Sequence, residues 1–138
     1  MQLLDIQKAI SRLLYKNFSD CEIIADEQVA DVENPTFFIS MRPIKSTTIT
    51  TYNKDRVVNV DIYYVQKENE HRKNLEIADK LDDIFSINLK VNDDEYLDLG
   101  EISFSEPDFL ICSFTLRFRE TIPDKNEYKK MEELVQKY

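Results

Sequence analysis

Two long runs of alternating side chains, joined by a threonine-rich segment and followed by an amphipathic helix, occupy residues 34–85. The first run spans Thr36 to Ile44 and the second spans about Arg56 to Gln66. In both runs every second residue is apolar, which is the period of a strand that buries one face. The residues that this pattern directs toward the core are Phe37, Ile39, Met41, Val58, Val60, Ile62 and Tyr64. We therefore predict two neighbouring antiparallel strands.

The segment between these runs, Lys45 to Asp55, is rich in threonine and contains no glycine. Threonine favours extended backbone but cannot fill a core, so we expect either an exposed loop or the tip of a long hairpin that turns at Asn53-Lys54. Ile49 and Tyr52 are the only large apolar side chains of the segment, and neither has an obvious core to enter. They either contact a neighbouring chain or fold back onto their own hairpin.

Pro43 lies near the end of the first run. Proline has no N–H to donate to a neighbouring strand, so within sheets it occurs at edges and bulges, where a missing donor costs little. We predict that this end of the strand lies at a sheet edge or at a bulge.

Helical and shorter strand patterns surround this block. Apolar residues at spacings of three and four predict helices, and short apolar runs between turn residues predict strands. The predicted helices are Gln2–Asn17, Asn69–Phe85 with Asn69 as N-cap, and Lys125–Tyr138. The predicted strands are Cys21–Ala25, Ile87–Val91, Tyr96–Phe104 and Phe109–Glu120. The last of them is expected to be the central strand, because its alternating row is the most apolar, and residues 26–34 are expected to be a loop or a frayed connection. The stripe assigned to the buried face of the second helix is Leu75, Ala78, Leu81 and Phe85.

These elements predict one α+β domain over residues 1–138, with a core formed by 1–122 and a C-terminal helical extension at 123–138. Its parts are an N-terminal helix, an antiparallel or mixed sheet with a long β-hairpin, one central helix packed on the sheet, and a C-terminal helix. A chain of 138 residues has the size of a common single domain. The expected core includes Phe37, Val58, Val60, Leu75 and Leu81.

The formal net charge of −9 argues against a nucleic-acid-binding surface, because the average field repels phosphates. Lysines cluster between residues 125 and 130, but glutamates interleave with them and the mixture predicts a solvated helix face. No apolar run approaches the roughly 18 residues of a membrane span. The N-terminus lacks the pattern of a secretion signal, so we expect synthesis and folding in the cytoplasm.

Gly100 is the only glycine of the sequence, which excludes glycine-rich phosphate loops and nucleophile elbows. Cys21 and Cys112 both lie in apolar runs, and two widely spaced thiols match neither a disulfide framework nor a metal motif. We expect reduced core cysteines and no cofactor.

Four groups of polar residues are candidates for chemistry. The carboxylates at 79–83 and 93–95 lack the glycine and the regular spacing of a calcium loop. Asp108 or Asp124 with the triplet Glu-Tyr-Lys at 127–129 has the composition of a metal-dependent nuclease, but the triplet lies on a predicted helix instead of a second strand. His71 is the sole histidine and stands at an exposed helix start. We predict no catalytic residue and no metal ligand, with a small nuclease or hydrolase as the alternative of another class.

Three local patterns occur in a particular order: Asn-Pro-Thr-Phe-Phe-Ile at 34–39, Val-Asp-Ile-Tyr-Tyr at 60–64, and Leu-Glu-Ile-Ala-Asp-Lys-Leu at 75–81. Together with the preceding helix and short strand, this order resembles the small tail terminator proteins of phages of Gram-positive bacteria. The resemblance covers most of Gln2 to Arg119. The resemblance lies in the apolar positions and in the order of the elements. The family has no short active motif, so it identifies no functional residue in this sequence.

The resemblance implies a structural protein that assembles as a ring, typically a hexamer, on the last ring of the tail tube and stops its growth. The partners it implies are further copies of the chain, the tail tube protein, a neck or connector protein and, in contractile tails, the sheath. It implies no membrane and no specific nucleic-acid binding, although DNA passes through the lumen. The protein would be in the host cytoplasm during assembly and then at the head-proximal end of the tail. The alternative within this class is a head–tail connector or another neck protein.

We expect the contacts with other subunits and partners in two places, the threonine-rich segment and the C-terminal helix. The helix is marginal alone and docks either on its own domain or on a neighbouring subunit. The predicted interface residues are Thr48, Ile49, Thr50, Thr51, Tyr52, Lys54 and Arg56 in the first, and Tyr128, Met131 and Leu134 in the second.

Overall fold

A computed structural model describes residues 2–25, 32–86, 89–92, 95–97 and 99–121. The described residues form two helices, α1 (Leu3–Asn17) and α2 (His71–Phe85), and seven strands. The strands are β1 (Glu22–Ile24), β2 (Thr36–Thr50), β3 (Asn53–Val65), β4 (Leu89–Asn92), β5 (Glu95–Leu97), β6 (Ile102–Ser105) and β7 (Leu110–Thr121). Within these residues neither helix combines the length and the apolar character that a membrane span requires.

Five strands form one mixed sheet in the order β1-β2-β3-β7-β6. β1 runs parallel to β2, and every other neighbouring pair is antiparallel. β4 and β5 form a separate antiparallel pair. The predicted α+β single domain, its N-terminal helix, its long hairpin and its central helix are confirmed. The predicted C-terminal helix, and most of the loop expected at 26–34, lie outside the described residues.

The helices cover one face of the sheet and enclose the core. α1 buries Ile6, Ala9, Ile10 and Leu14, which recur at the spacing of one helix face. Aromatic rings connect the layers, since the ring centroid of Phe37 lies 4.7 Å from Phe18 and 5.0 Å from Tyr64, and Phe85 of α2 lies 5.3 Å from Phe114 of β7. The β4–β5 pair adds Leu89, Val91 and Leu97 to the same core.

β3 and β7 confirm the predicted alternation. The buried residues are Val58, Val60, Ile62 and Tyr64 on β3, and Leu110, Cys112, Phe114, Leu116 and Phe118 on β7. The predicted central position of β7 is confirmed only in that β3 and β6 flank it on both sides, since β3 is the middle strand of the sheet.

The buried stripe of α2 differs from the prediction in its first half, whereas the predicted Leu81 and Phe85 are buried and Ala78 packs partly buried against the core. Leu75 is 54% exposed, whereas Asn74, Ile77, Leu81 and Phe85 are buried. The polar residue Asn74 therefore occupies the first buried position of α2. A pattern of apolar spacing does not identify such a position. The assignment of Leu75 to the core is wrong.

The start of α2 explains how a buried amide is tolerated there. The Asn74 side-chain N–H groups donate to Asn69 Oδ1 at 2.7 Å and to Glu106 Oε1 at 2.6 Å, and its carbonyl oxygen accepts from Gln66 Nε2 at 3.1 Å. Because Asn69 is engaged in this network, Glu70 is the N-cap residue and the predicted cap at Asn69 is wrong.

The predicted strand Tyr96–Phe104 is divided into β5 and β6. Gly100 lies between them at φ +67°, in the left-handed region that residues with a Cβ rarely adopt. The only glycine of the chain thus marks a turn in the backbone where one continuous strand was predicted.

Candidate assembly surface

The distal half of the β2–β3 hairpin extends beyond the core as a three-stranded arm. We define the arm as residues 42–57 together with residues 117–121 of β7. β3 is its middle strand, paired with β2 up to Asn53 on one side and with β7 up to Thr121 on the other. Every residue of β2 from Arg42 to Thr50 is exposed. Since the side chains of a strand alternate between its two faces, neither face of this half of β2 is covered within the described residues.

The arm ends in a turn at Thr51 and Tyr52. Strand pairing continues to Thr50 and Asn53, so the hairpin alternative is confirmed, and the exposed loop and the turn at Asn53-Lys54 are wrong. The Thr50 hydroxyl accepts hydrogen bonds from the backbone N–H of Tyr52 and from the side-chain amide of Asn53, both at 3.2 Å. A threonine thus provides the acceptor at the tip, where the sequence suggested an asparagine turn.

The outer edge of β2 has no strand partner beyond Phe38 in the described part of the chain, since β1 pairs only with residues 36–38. A register shift between Pro43 and Lys45 interrupts the pairing with β3, so Pro43 lies on an edge strand and beside a bulge, as predicted. The proline removes one donor from this edge. The other backbone groups of the edge are positioned to pair with an added strand.

The arm is basic although the chain is acidic. It contains six basic and two acidic side chains, which gives a net charge of +4 in a chain whose total is −9. The basic residues are Arg42, Lys45, Lys54, Arg56, Arg117 and Arg119. We did not predict this concentration of charge. Arg117 and Arg119 are remote in sequence from the hairpin, and only the pairing of β7 with β3 places them beside it.

Both acidic residues of the arm are paired within it. Arg119 Nε donates to Asp55 Oδ1 at 3.0 Å, and Arg56 Nη1 donates to Glu120 Oε2 at 3.3 Å. These pairs connect β3 with β7. Arg42 pairs with Asp61, a carboxylate just outside the arm. Within the described ranges Lys45, Lys54 and Arg117 form no ion pair, so three positive charges of the arm have no carboxylate partner.

All predicted interface residues of the hairpin lie on the arm. They are Thr48, Ile49 and Thr50 on β2, Thr51 and Tyr52 at the turn, and Lys54 and Arg56 on β3. Ile49 is 44% exposed, and Ile44, which we did not predict, is 61% exposed on the same strand. The predicted interface residues of the C-terminal helix, Tyr128, Met131 and Leu134, lie outside the described residues. That these residues form an interface stays a prediction.

The sheet face opposite the helices is polar. Ser113 Oγ donates to Asp61 Oδ1 at 2.5 Å, Thr115 donates to Asn59 Oδ1 at 3.4 Å, and Arg42 forms an ion pair with Asp61 at 3.7 Å. A groove of about 650 Å³ lies on this face between β7 and residues 99–101. Asn59, Ser113 and Thr115, which line this groove, are engaged in the hydrogen bonds of that face. The described residues place no activated nucleophile beside a base there.

The residues weighed for chemistry are dispersed. His71 is exposed and its Nδ1 lies 2.6 Å from Glu106 Oε2, while Asp108 is exposed on the connection before β7. Asp79, Asp82 and Asp83 are exposed along α2. Among the residues that the structure describes, no three His, Cys, Asp or Glu side chains converge on one point where they could hold a metal ion. Asp124 and the triplet at 127–129 lie outside the described residues.

Both cysteines are free. Burial raises the pKa of Cys112 to about 12, and burial together with the adjacent Asp20 carboxylate raises the pKa of Cys21 to about 11. At neutral pH both side chains are therefore neutral thiols, and neither has the thiolate character of a nucleophile. Cys112 is a core residue as predicted, whereas Cys21 is only partly buried.

The described residues combine a long uncovered strand edge with dispersed polar side chains that assemble no catalytic group. The family model described as phage tail terminator protein matches residues 5–128 of the chain, and the chain belongs to this family. No curated protein matches the sequence. Membership gives the chain a structural role in tail completion, places it in a phage tail or tail-like particle, and implies contact with other tail components and with copies of itself. The predicted family is confirmed.

Proposed function

We propose that this protein forms a ring, with six subunits as its expected number, on the head-proximal end of the tail tube. The ring stops polymerisation of the tube and provides the surface on which the neck docks, or the sheath where the tail is contractile. Assembly takes place in the host cytoplasm, and the ring remains in the finished particle. No catalytic step is part of this function.

The observation that carries the proposal is the uncovered arm. A long edge strand with two exposed isoleucines is a hazard for a protein that remains alone, because unpaired edges and apolar patches promote association. Ile44 and Ile49 nevertheless lie on such a strand, and the core of the domain is closed without them. The half of β2 from Arg42 to Thr50 adds nothing to its own core, and it is accounted for when another subunit or the tube covers it.

The distribution of charge constrains where the arm lies in the ring. DNA passes through the lumen of a tail, and a basic surface facing the lumen would retain it by counterion release. Because the arm is the basic part of the chain and the remainder is strongly acidic, we place the arm at a contact between protein surfaces. The acidic remainder is left to face the passing DNA.

Tail length tests the proposal directly. Tube protein polymerised in the presence of this protein should give tubes of bounded length that carry a ring at one end in negative-stain images, and tubes polymerised without it should be longer and uncapped. Uncapped tubes of unchanged length in both samples would reject the terminator function. Binding to portal-side rings without binding to tubes would instead favour a head–tail connector.

A pair of variants separates the arm from the rest of the surface. Ile44→Ser with Ile49→Ser should abolish capping, since both side chains are exposed on the arm. Leu4→Ser with Tyr15→Ser is the control, because these α1 side chains are 62% and 69% exposed and lie away from the arm. Equal capping by the two variants would remove the arm from the proposed contact.

A further inference from the structure

We infer that the arm of one copy docks on an acidic edge of the next copy, formed by the outer face of α2 and by β6. This inference rests on the proposed ring and names the two surfaces that join its subunits. The acidic edge is defined by Leu75, Glu76, Asp79, Asp82 and Asp83 of α2 and by Phe104 of β6.

The acidic edge complements the arm in charge. Four carboxylates lie on the exposed side of α2 and outnumber the two cations beside them, Arg72 and Lys73, of which Lys73 pairs with Glu76 at 3.7 Å. Lys80 is turned toward α1 and donates to the Asn17 carbonyl. Within the described residues Asp79, Asp82 and Asp83 form no ion pair, just as Lys45, Lys54 and Arg117 of the arm form none. Unpaired charges of opposite sign on two surfaces of one chain favour their association.

Each surface also carries two exposed apolar side chains. Leu75 is 54% and Phe104 is 38% exposed. His71, one turn before Leu75 on α2, contacts Glu106, two residues after Phe104, so the start of α2 adjoins the connection that follows β6. Ile44 and Ile49 provide the matching apolar groups of the arm. A phosphate backbone would use the lysines and arginines but would leave these isoleucines exposed, so a protein surface fits the arm better than DNA does.

The arm and the acidic edge lie toward opposite ends of the sheet, which allows more than two copies to associate into a ring. β2 and β6 lie toward opposite ends of the strand order, and each has an outer edge without a strand partner in the described residues over most or all of its length. A contact in which one surface of a copy binds a different surface of the next copy is heterologous. Each copy can then bind one neighbour through its arm and another through its acidic edge. The series closes into a ring when the rotation between successive copies allows it.

Reaching the acidic edge requires a stagger between neighbouring copies. β6 lies level with the proximal half of β2, since Ile102 pairs with Phe114, Phe114 with Val60, and Val60 with Met41. The arm lies farther along the sheet. Such a displacement along the strands is the geometry of sheets whose strands are tilted against the axis of a closed assembly.

Charge reversal tests the pairing. Lys45→Glu with Ser46→Glu changes the charge of the arm at two exposed β2 positions. The second substitution is tolerated because residue 46 lies opposite Arg56 on β3, where a glutamate faces a positive charge. Asp79→Lys with Asp82→Lys reverses the acidic edge. Each double variant alone should raise the concentration needed for self-association by at least about tenfold, as loss of close charge pairs does at other interfaces. Oligomeric state is measured by native mass spectrometry, on the free protein and on protein recovered from capped tubes.

Restoration is the decisive result. A mixture of the two double variants, or one chain carrying all four substitutions, should associate as the wild type does, because the substituted positions again present opposite charges. Lys8→Glu with Ser11→Glu on α1 is the matched control and should leave association unchanged. Unaltered association of either reversed variant, or no recovery in a mixture of folded variants, would overturn the pairing while wild-type capping still supports the terminator function. A wild type that neither associates nor caps tubes would overturn both.

Discussion

The buried amide of Asn74 donates to the carboxylate of Glu106 at 2.6 Å, and this bond connects the first turn of α2 to the β6–β7 connection. The same amide bonds Asn69 and Gln66, so three separate segments meet at one side chain. Asn74 is 1% exposed, which means that its amide cannot exchange these partners for solvent without movement of the helix. The network positions α2, and with it the acidic edge.

Asn74→Ala should lower the free energy of unfolding by about 1–3 kcal/mol, because it leaves partly buried polar partners without their bonds. Asn34→Ala, which changes an exposed asparagine, should change it by less than about 0.5 kcal/mol. Urea denaturation followed by circular dichroism measures both. Equal effects of the two substitutions would show that the network adds nothing to stability.

Glu106 should make part of the stability depend on pH. The hydrogen bond from Asn74 lowers the pKa of Glu106, desolvation opposes this, and contact with His71 lowers it further. A carboxyl group whose pKa is lower in the folded state contributes stability above its unfolded pKa, near 4.3, and loses that contribution as the pH falls through the folded value. The stability difference between wild type and Glu106→Gln should therefore be largest at neutral pH and shrink below about pH 4. A difference that stays constant from pH 7 to pH 3 would contradict the assignment.

Two leucines of α2 test the position of its buried stripe. Leu81 is fully buried, and Leu81→Ala should cost about 2–5 kcal/mol through lost burial and the cavity left behind. Leu75 lies on the same helix but is 54% exposed, and Leu75→Ala should cost less than about 0.5 kcal/mol apart from any effect on association. Monomeric protein in urea is the sample to use. A large loss at Leu75 would restore the stripe that the sequence suggested.

The sheet could be predicted from the sequence because a strand that buries one face shows an apolar residue at every second position. The alternation of Val58, Val60 and Ile62 has one interpretation, and the β3 register follows from it. α2 was predicted less accurately, because a satisfied polar residue such as Asn74 can occupy a core position and its partners are not marked by any apolar spacing. Spacing rules count apolar residues and do not register a buried amide.

The candidate site was predicted in part for the same reason. Thr48 to Arg56 could be selected as a segment without a core, since composition alone shows that it cannot bury itself. The positive charge of the arm could not be found that way. Arg117 and Arg119 alternate with core residues on β7. Only the pairing of β7 with residues 55–57 of β3 places these two arginines beside the hairpin. The acidic edge likewise depends on the contact between His71 and Glu106, which joins α2 to the connection that follows β6.

Two neighbouring tyrosines on β3 should respond in opposite ways to loss of the hydroxyl group. The Tyr64 hydroxyl is buried and has no hydrogen-bond partner among the described residues, and burial raises the pKa of Tyr64 to about 12. Since an unpaired buried hydroxyl costs about 1–3 kcal/mol, Tyr64→Phe should raise the free energy of unfolding by up to about that amount. Tyr63 faces the polar side of the sheet, where burial and the Asp61 carboxylate raise its pKa and its hydroxyl bonds that carboxylate. Tyr63→Phe should therefore be neutral or destabilising by about 1 kcal/mol. Urea midpoints of the two variants decide the matter, and destabilisation by Tyr64→Phe would mean that the hydroxyl has a partner in solution.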